Sequence, residues 1–320
     1  DSGIVDQVAD LIERLGWQVD SMTDVGAGRG VFSAVVRVEI SGGPASSIVV
    51  KVPDPGPNGA AARAMGAYER EALVYATLLD DGPPAHPVCH LVSRDDERGA
   101  AFVLEDLSPH RAVDQGDGLD VEDARLVIHQ LAALHHRFAP SARVLPVRHS
   151  TPTGFESTAL ERGLEAAADY VEGPTLRVLH RMVERHDRLV TAFATASGAT
   201  LCHGDPRADN VAFGPQGAIL FDWQQVAIQL GEADVAWLHA TSLTVETRRR
   251  HERQLVADYQ DLTRCDGFDR YRLGMVLPGF AVLLLAQRQA SDPRTAAFIA
   301  TSVQRIAQAL EDLEVDDLAR

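Results

Sequence analysis

The hydrophobic period changes once along this chain, from two residues to about 3.6, and that switch limits its possible folds more than any other feature. Phe32, Ala34, Val36, Val38 and Ile40 form one apolar face while Ser33, Arg37 and Glu39 mostly point the other way, as in a half-buried strand. Ser41-Gly42-Gly43-Pro44 turns the chain, and the largely β-branched run Ser46 to Val52, whose one charge is Lys51, predicts a second, antiparallel strand. A loop from Pro53 to Gly59 leads into a helical pattern from about Arg63 to Leu79, with Tyr68, Ala72, Tyr75 and Leu79 on one face. Two more strands are expected at Val88 to Arg94 and Ala100 to Glu105. Asp1 to Leu15 reads as an amphipathic helix and not as a positively charged leader. From Leu119 the period becomes helical, with helices predicted between Val121 and Ala196 and again from Ala233 to Leu313. Between them, Val211 to Phe213 and Ala218 to Phe221 look like short strands joined by a Gly-Pro-Gln-Gly turn. The expectation is an α+β protein with a small antiparallel β-rich lobe at 1–107 and a larger, mainly helical lobe at 108–320, joined near Asp106 to Pro109.

Charge and cysteine usage narrow the function. Lys and Arg number 30 against 46 Asp and Glu, a formal net charge of −16, so the surface as a whole repels phosphate backbones and anionic membranes. Neither nucleic acid nor membrane is an expected partner. Cys89, Cys202 and Cys265 lie far apart without a Cys-x-x-Cys pair, which argues against a disulfide framework or a cysteine-based zinc site and fits a cytoplasmic location. The longest apolar stretch, near Phe280 to Ala286, falls short of the roughly 20 residues that span a bilayer.

Chemistry concentrates in Leu201-Cys-His-Gly-Asp-Pro-Arg-Ala-Asp-Asn210, followed by Phe221-Asp222-Trp223-Gln224, with apolar residues flanking both. Acids, an amide, a guanidinium and an imidazole buried in one turn cost on the order of several kcal/mol unless they pair with one another or bind something. His203-Gly204-Asp205-x-x-x-x-Asn210 with Asp222 downstream resembles the catalytic loop and metal-binding acid of the superfamily of aminoglycoside phosphotransferases, choline kinases and ecdysteroid-kinase-like enzymes. In its wording around Asp205 and in Asp222-Trp223-Gln224 it looks most like the bacterial ecdysteroid-kinase-like branch.

That resemblance implies a bilobal, protein-kinase-like fold, with Asp205 orienting an acceptor hydroxyl and Asn210 and Asp222 holding Mg²⁺. Arg207 would steady charge on the transferred phosphoryl group; a surface ion pair is the competing reading. His203 and Asp234 would hold the loop in shape. Lys51, a lone charge in an apolar strand, and Glu71 resemble the Lys–Glu bridge that positions nucleotide phosphates, with Glu69 as the rival acid on a different helix face. Gly26, Gly28 and Gly30 precede a strand where a dinucleotide fingerprint needs a helix, so they suit a hairpin tip over phosphates, or a plain hairpin turn. The backbone of Glu105 and Leu107 would meet a purine edge. Two departures from the pattern stand out: Pro206 after Asp205, and Trp223-Gln224 after the metal acid.

The activity implied is Mg²⁺-dependent transfer of the γ-phosphate of ATP or GTP to a hydroxyl of a small molecule, an antibiotic such as an aminoglycoside or a nucleoside antibiotic. A metabolic kinase of a sugar, amino alcohol or sterol-like alcohol is the alternative, and a non-catalytic nucleotide-binding regulatory module is the alternative of another class. Nine residues between Asp222 and Glu232 leave little room for the activation segment of a protein kinase. The resemblance puts the acceptor pocket in the helices from Leu119 to Ala196. Acids from Asp114 to Asp123 and from Glu156 to Asp169 suit an amine-bearing acceptor, or are solvated helix faces.

Overall fold

A computed structural model describes all residues except 1, 26–31, 80–81, 150–155, 266, 291 and 320, with residues 2 and 319 described by their backbone alone. By contact, the chain divides into two units: Asp1–Arg111 with Phe221–Gln225, and Ala112–Leu220 with Val226–Arg320.

The first unit is built on a five-stranded antiparallel sheet in the order β1-β2-β3-β5-β4. Its strands are β1 (Gln18–Asp24), β2 (Ser33–Ser41), β3 (Ser47–Pro53), β4 (Cys89–Asp95) and β5 (Gly99–Glu105). Alternation along β2 and β3 sends Val36, Val38, Ile40, Ile48, Val50 and Val52 to one face. There they meet Val8, Leu11 and Ile12 of helix α1 (Ser2–Glu13) in a single buried cluster. The opposite face receives α3 (Ala67–Leu73), with the rings of Tyr75 and Phe102 5.8 Å apart. β1 escaped the sequence reading because Gln-Val-Asp-Ser-Met-Thr-Asp has almost no buried side chain to set an apolar alternation. The single helix expected from Arg63 to Leu79 is instead three segments: α2 (Pro57–Ala64), α3, and a π-helical turn, Val74–Leu78. Gly66 makes the break, adopting a left-handed φ of 67° that a residue with a β-carbon rarely takes.

The second unit is mainly helical. A two-residue strand β6 (Arg111–Ala112) precedes α4 (Val121–Phe138), whose first turn is capped by Asp120 accepting from the Asp123 N–H. Helices α5 (Ser157–Ala167), α6 (Gly173–Glu184) and α7 (His186–Thr195) follow. β7 (Ala199–Cys202) then pairs antiparallel with β10 (Ala227–Leu230), and β8 (Val211–Gly214) forms a hairpin with β9 (Gly217–Leu220). Next comes α8 (Glu232–Ser242), buried on nearly every side, so it carries no amphipathic stripe and buries polar residues such as Glu232, Asp234 and His239 along with its apolar ones. The chain finishes with α9 (Val245–Thr263), α10 (Phe268–Gly274), α11 (Val276–Ala286) and α12 (Pro293–Asp312). Among the described residues no helix is long and apolar enough to cross a membrane.

Candidate active site

Strand alternation decides where Lys51 points. Its neighbours Val50 and Val52 belong to the α1 face, so Lys51 projects from the other one, toward α3. There its ammonium donates to Glu71 Oε1 and Oε2 at 2.9 and 2.8 Å and to Asp222 Oδ1 at 2.8 Å, which uses all three N–H groups. Glu71 is fully buried, whereas Glu69 on the same helix is exposed, so the helical phase picks the acid. Burial by itself would push the Lys51 ammonium down, but Asp222 and then Glu71 outweigh it and hold the pKa above its ordinary value. Burial raises Glu71, and the adjacent ammonium pulls it back.

Asp222 reaches Lys51 because the short segment around it is anchored on this unit. Trp223 is completely buried, Gln224 donates to Ser33 Oγ at 3.2 Å, and Arg70 Nε donates to the Gln224 carbonyl at 2.8 Å. Asp222 itself has a φ of 66°, sparsely populated for a residue with a side chain, and about a third of that side chain remains exposed. One ammonium against two carboxylates leaves an excess negative charge, with hard oxygen atoms, beside open solvent. That donor chemistry fits a divalent cation of the Mg²⁺ type.

In the second unit the loop after β7 is held by α8. Both oxygens of Asp234, a fully buried carboxylate, accept from backbone: Oδ2 from the His203 N–H at 2.7 Å and Oδ1 from the Gly204 N–H at 2.9 Å. His135 adds a contact to Oδ2 at 3.1 Å. His203 is buried, and its Nδ1 accepts the Asp205 N–H at 3.3 Å, a bond that shapes the turn. The Asp205 carboxylate is engaged at both oxygens, by the Trp237 indole N–H at 2.8 Å on Oδ1 and by Asn210 Nδ2 at 3.1 Å on Oδ2. Asn210 Nδ2 also donates to the Asp205 carbonyl at 2.9 Å, which commits its nitrogen to the loop and turns its amide oxygen away from Asp205. Arg207 lies with Nε 3.4 Å from Asp205 Oδ2 and its guanidinium 5.7 Å from the centre of the Phe298 ring.

With this geometry in place, comparison with known proteins is informative. A sequence model of the phosphotransferase enzyme family matches residues 26–273. The chain belongs to that family. As a member it is a phosphotransferase of the small-molecule kinase type. No curated protein sequence matches it. Solved structures similar to it include a macrolide 2′-phosphotransferase type I, 16% identical with a TM-score of 0.59, covering 96% of this chain and 97% of that one. An amicoumacin kinase solved with AMP-PNP and Ca²⁺ is 16% identical with a TM-score of 0.56, covering 91% and 89%. A choline/ethanolamine kinase family protein from Mesorhizobium loti is 16% identical, also with a TM-score of 0.56, covering 93% and 92%. At such identities these likenesses establish the fold.

Within this family member, Lys51, Glu71 and Asp222 come together in the first unit, and Asp205, Arg207 and Asn210 in the second. Gly26, Gly28 and Gly30 lie outside the described residues; the strands on either side of them pair antiparallel, with Asp24 opposite Val36. The Glu105 N–H is spent on the Val88 carbonyl at 2.8 Å and the Leu107 carbonyl on the His110 N–H at 2.9 Å. The sequence reading gave no role to a cavity of about 120 Å³ beside the loop, lined by Asp114, Gln115, Asp209, Arg294 and Phe298 among others and by none of the helices from Val121 to Ala196. Gln115 is buried, its Nε2 donates to the Thr241 carbonyl at 2.6 Å, and its Oε1 has no partner among the described residues. Nor was Trp237 given a role, although its position three residues after Asp234 on a helix puts both on one face.

Proposed function

We propose that this enzyme transfers the γ-phosphoryl group of ATP or GTP, with Mg²⁺, to a hydroxyl of a small molecule. The observation that carries this reading is the Asp205 carboxylate, held through both oxygens in a loop that α8 clamps by its backbone. A carboxylate so fixed is suited to receive one proton from one direction. In the reaction, Asp205 takes the proton of the acceptor hydroxyl as the O–H bond breaks. The acceptor oxygen forms a bond to the γ-phosphorus, and the bond to the β–γ bridging oxygen breaks to release the nucleoside diphosphate. Asn210, through its amide oxygen, and Asp222, through its carboxylate, are the ligands for Mg²⁺, which when bound supplies charge neutralisation at the phosphates. Lys51, kept charged by its two carboxylates, serves the triphosphate, and Arg207 offers a permanent cation to the phosphoryl oxygens. Gly26, Gly28 and Gly30 supply backbone N–H groups to phosphate, while the Glu105 carbonyl and the Leu107 N–H serve the purine.

The cavity lined by Gln115, Asp209 and Phe298 supports an acceptor with a hydroxyl or amine arm of a few heavy atoms. The Asp114 and Asp209 side chains on its lining accept from donors, and roughly 30 Å³ per water-sized group leaves space for about four. An antibiotic and a metabolic amino alcohol or sugar both present such an arm. The test is a panel of aminoglycosides, nucleoside antibiotics, macrolides, sugars and amino alcohols with radiolabelled ATP and GTP, with and without Mg²⁺. Label should enter at least one acceptor, and Asp205→Asn should lower turnover by about 10²–10⁴-fold with nucleotide binding kept. Nucleotide binding without transfer to any acceptor class would instead make the chain a regulatory nucleotide-binding module.

A further inference from the structure

Helix α8 touches the loop at two points that do different work. Asp234 grips backbone, the N–H groups of His203 and Gly204. Trp237, one helical turn on and half-buried, grips a side chain, its Nε1 lying 2.8 Å from Asp205 Oδ1. The two residues share a face because they are three apart, so one rigid element sets the path of the loop and the plane of its carboxylate together. That element is itself pinned: Glu232 at its start accepts from Arg270 at 2.6 and 3.1 Å, and His239 near its end is bonded to Tyr271 at 3.0 Å.

A carboxylate turns about its last torsion over a broad, shallow profile, so a donor on one oxygen leaves the group free to swing. Asn210 donates to one oxygen, Arg207 Nε lies 3.4 Å from the same oxygen, and both ride on the same loop as Asp205. The indole N–H adds a second bond, on the other oxygen, from outside the loop. Indole is a donor with no acceptor atom, so it orients the carboxylate without competing for the proton that Asp205 receives. A Phe or Leu would fill the same space without that bond.

We propose that Trp237 is a positioning residue for the Asp205 carboxylate, and that the Asp234-x-x-Trp237 pair on α8 presets both the backbone and the side chain of the catalytic loop. The proposal rests on the phosphotransfer reading for its kinetic consequence and on geometry alone for the contact, so the two are tested separately. The chain has three tryptophans, Trp17, Trp223 and Trp237, so indole ¹⁵N labelling of the full chain gives three N–H resonances. Asp205→Ala should move the Trp237 resonance upfield and leave the other two in place; an unmoved Trp237 resonance overturns the proposal whatever the activity. Replacing Trp237 alone with 3-benzothienylalanine, which keeps the shape and exchanges the N–H for sulfur, should lower kcat by about 10–100-fold with the nucleotide KM unchanged. Trp237→Phe should behave alike, provided its thermal unfolding matches the parent. Full kcat in the benzothienyl protein overturns the proposal. An Asp205→Asn enzyme with unchanged turnover strikes at the phosphotransfer reading itself, while the resonance shift still decides the contact.

Discussion

Lys51 shows how one buried cation can hold two carboxylates together at a candidate site. Its three N–H groups are matched by two carboxylates, one of them fully buried, so removing the cation strands two negative charges. Lys51→Met should therefore cost about 3–5 kcal/mol, measured by urea unfolding. The double variant Lys51→Met/Glu71→Met should recover at least half of that loss, because only Asp222, a third of whose side chain is exposed, then lacks its partner. A double variant no more stable than the single one would contradict the account. At this scale Lys51 was legible as a lone charge in an apolar strand, where only a partner or a function makes the burial tolerable, and Glu71, Asp205, Asn210 and Asp222 through the resemblance of the motifs they stand in. Trp237 and Gln115 were not, since an indole or an amide is unremarked until its neighbour in space is known.

Elements carry their own predictions. Asp292 caps α12 by accepting from the N–H groups of Arg294 and Thr295, and α12 brings Arg294 and Phe298 to the cavity. Asp292→Ala should lower stability by about 1 kcal/mol, read as a drop in Tm, with the far-UV spectrum kept. In α5, a β-carbon at Gly163 would lie 2.3 Å from the Leu283 carbonyl oxygen of α11, so these helices pack at backbone distance. Gly163→Ala should cost about 1–3 kcal/mol, more than the helix propensity gained; a stabilised variant would show the helices able to part. β2, with its alternation, and the runs β3, β4 and β5 were readable in advance, as were β8 and β9 on either side of their Gly-Pro-Gln-Gly turn. β1, β7 and β10 were not: the first is an exposed edge, and the other two are four residues long with no hairpin turn between them to mark the pair.

For the whole molecule the question is pH. His239 is fully buried on α8, and burial, then the nearby Arg248 cation, bring its pKa from 6.5 down to about 3. Tyr271 donates its hydroxyl proton to Glu252 at 2.7 Å, so His239 Nδ1–H is the donor to the Tyr271 oxygen and the ring is neutral, with Nε2 unpartnered among the described residues. The folded value lies below the unfolded one, so this stabilisation is complete above pH 6.5 and is lost as pH falls from there toward 3. The parent should lose about 2 kcal/mol relative to His239→Asn between pH 7.5 and pH 5 in guanidinium unfolding. A pH-independent difference would mean that the histidine titrates alike in the folded and unfolded states.

Hydrophobic period along the chain was enough to determine that a β-rich part precedes a helical one, because periodicity is a property of neighbours in sequence, while the family came from the resemblance carried by the Asp205–Asn210 motif and Asp222. The tertiary structure alone decided that the segment Phe221–Gln225 is anchored among the elements of the first unit, and that α8 reaches Asp205 with an indole. Those outcomes depend on the packing of residues tens to hundreds of positions apart, which no local pattern encodes.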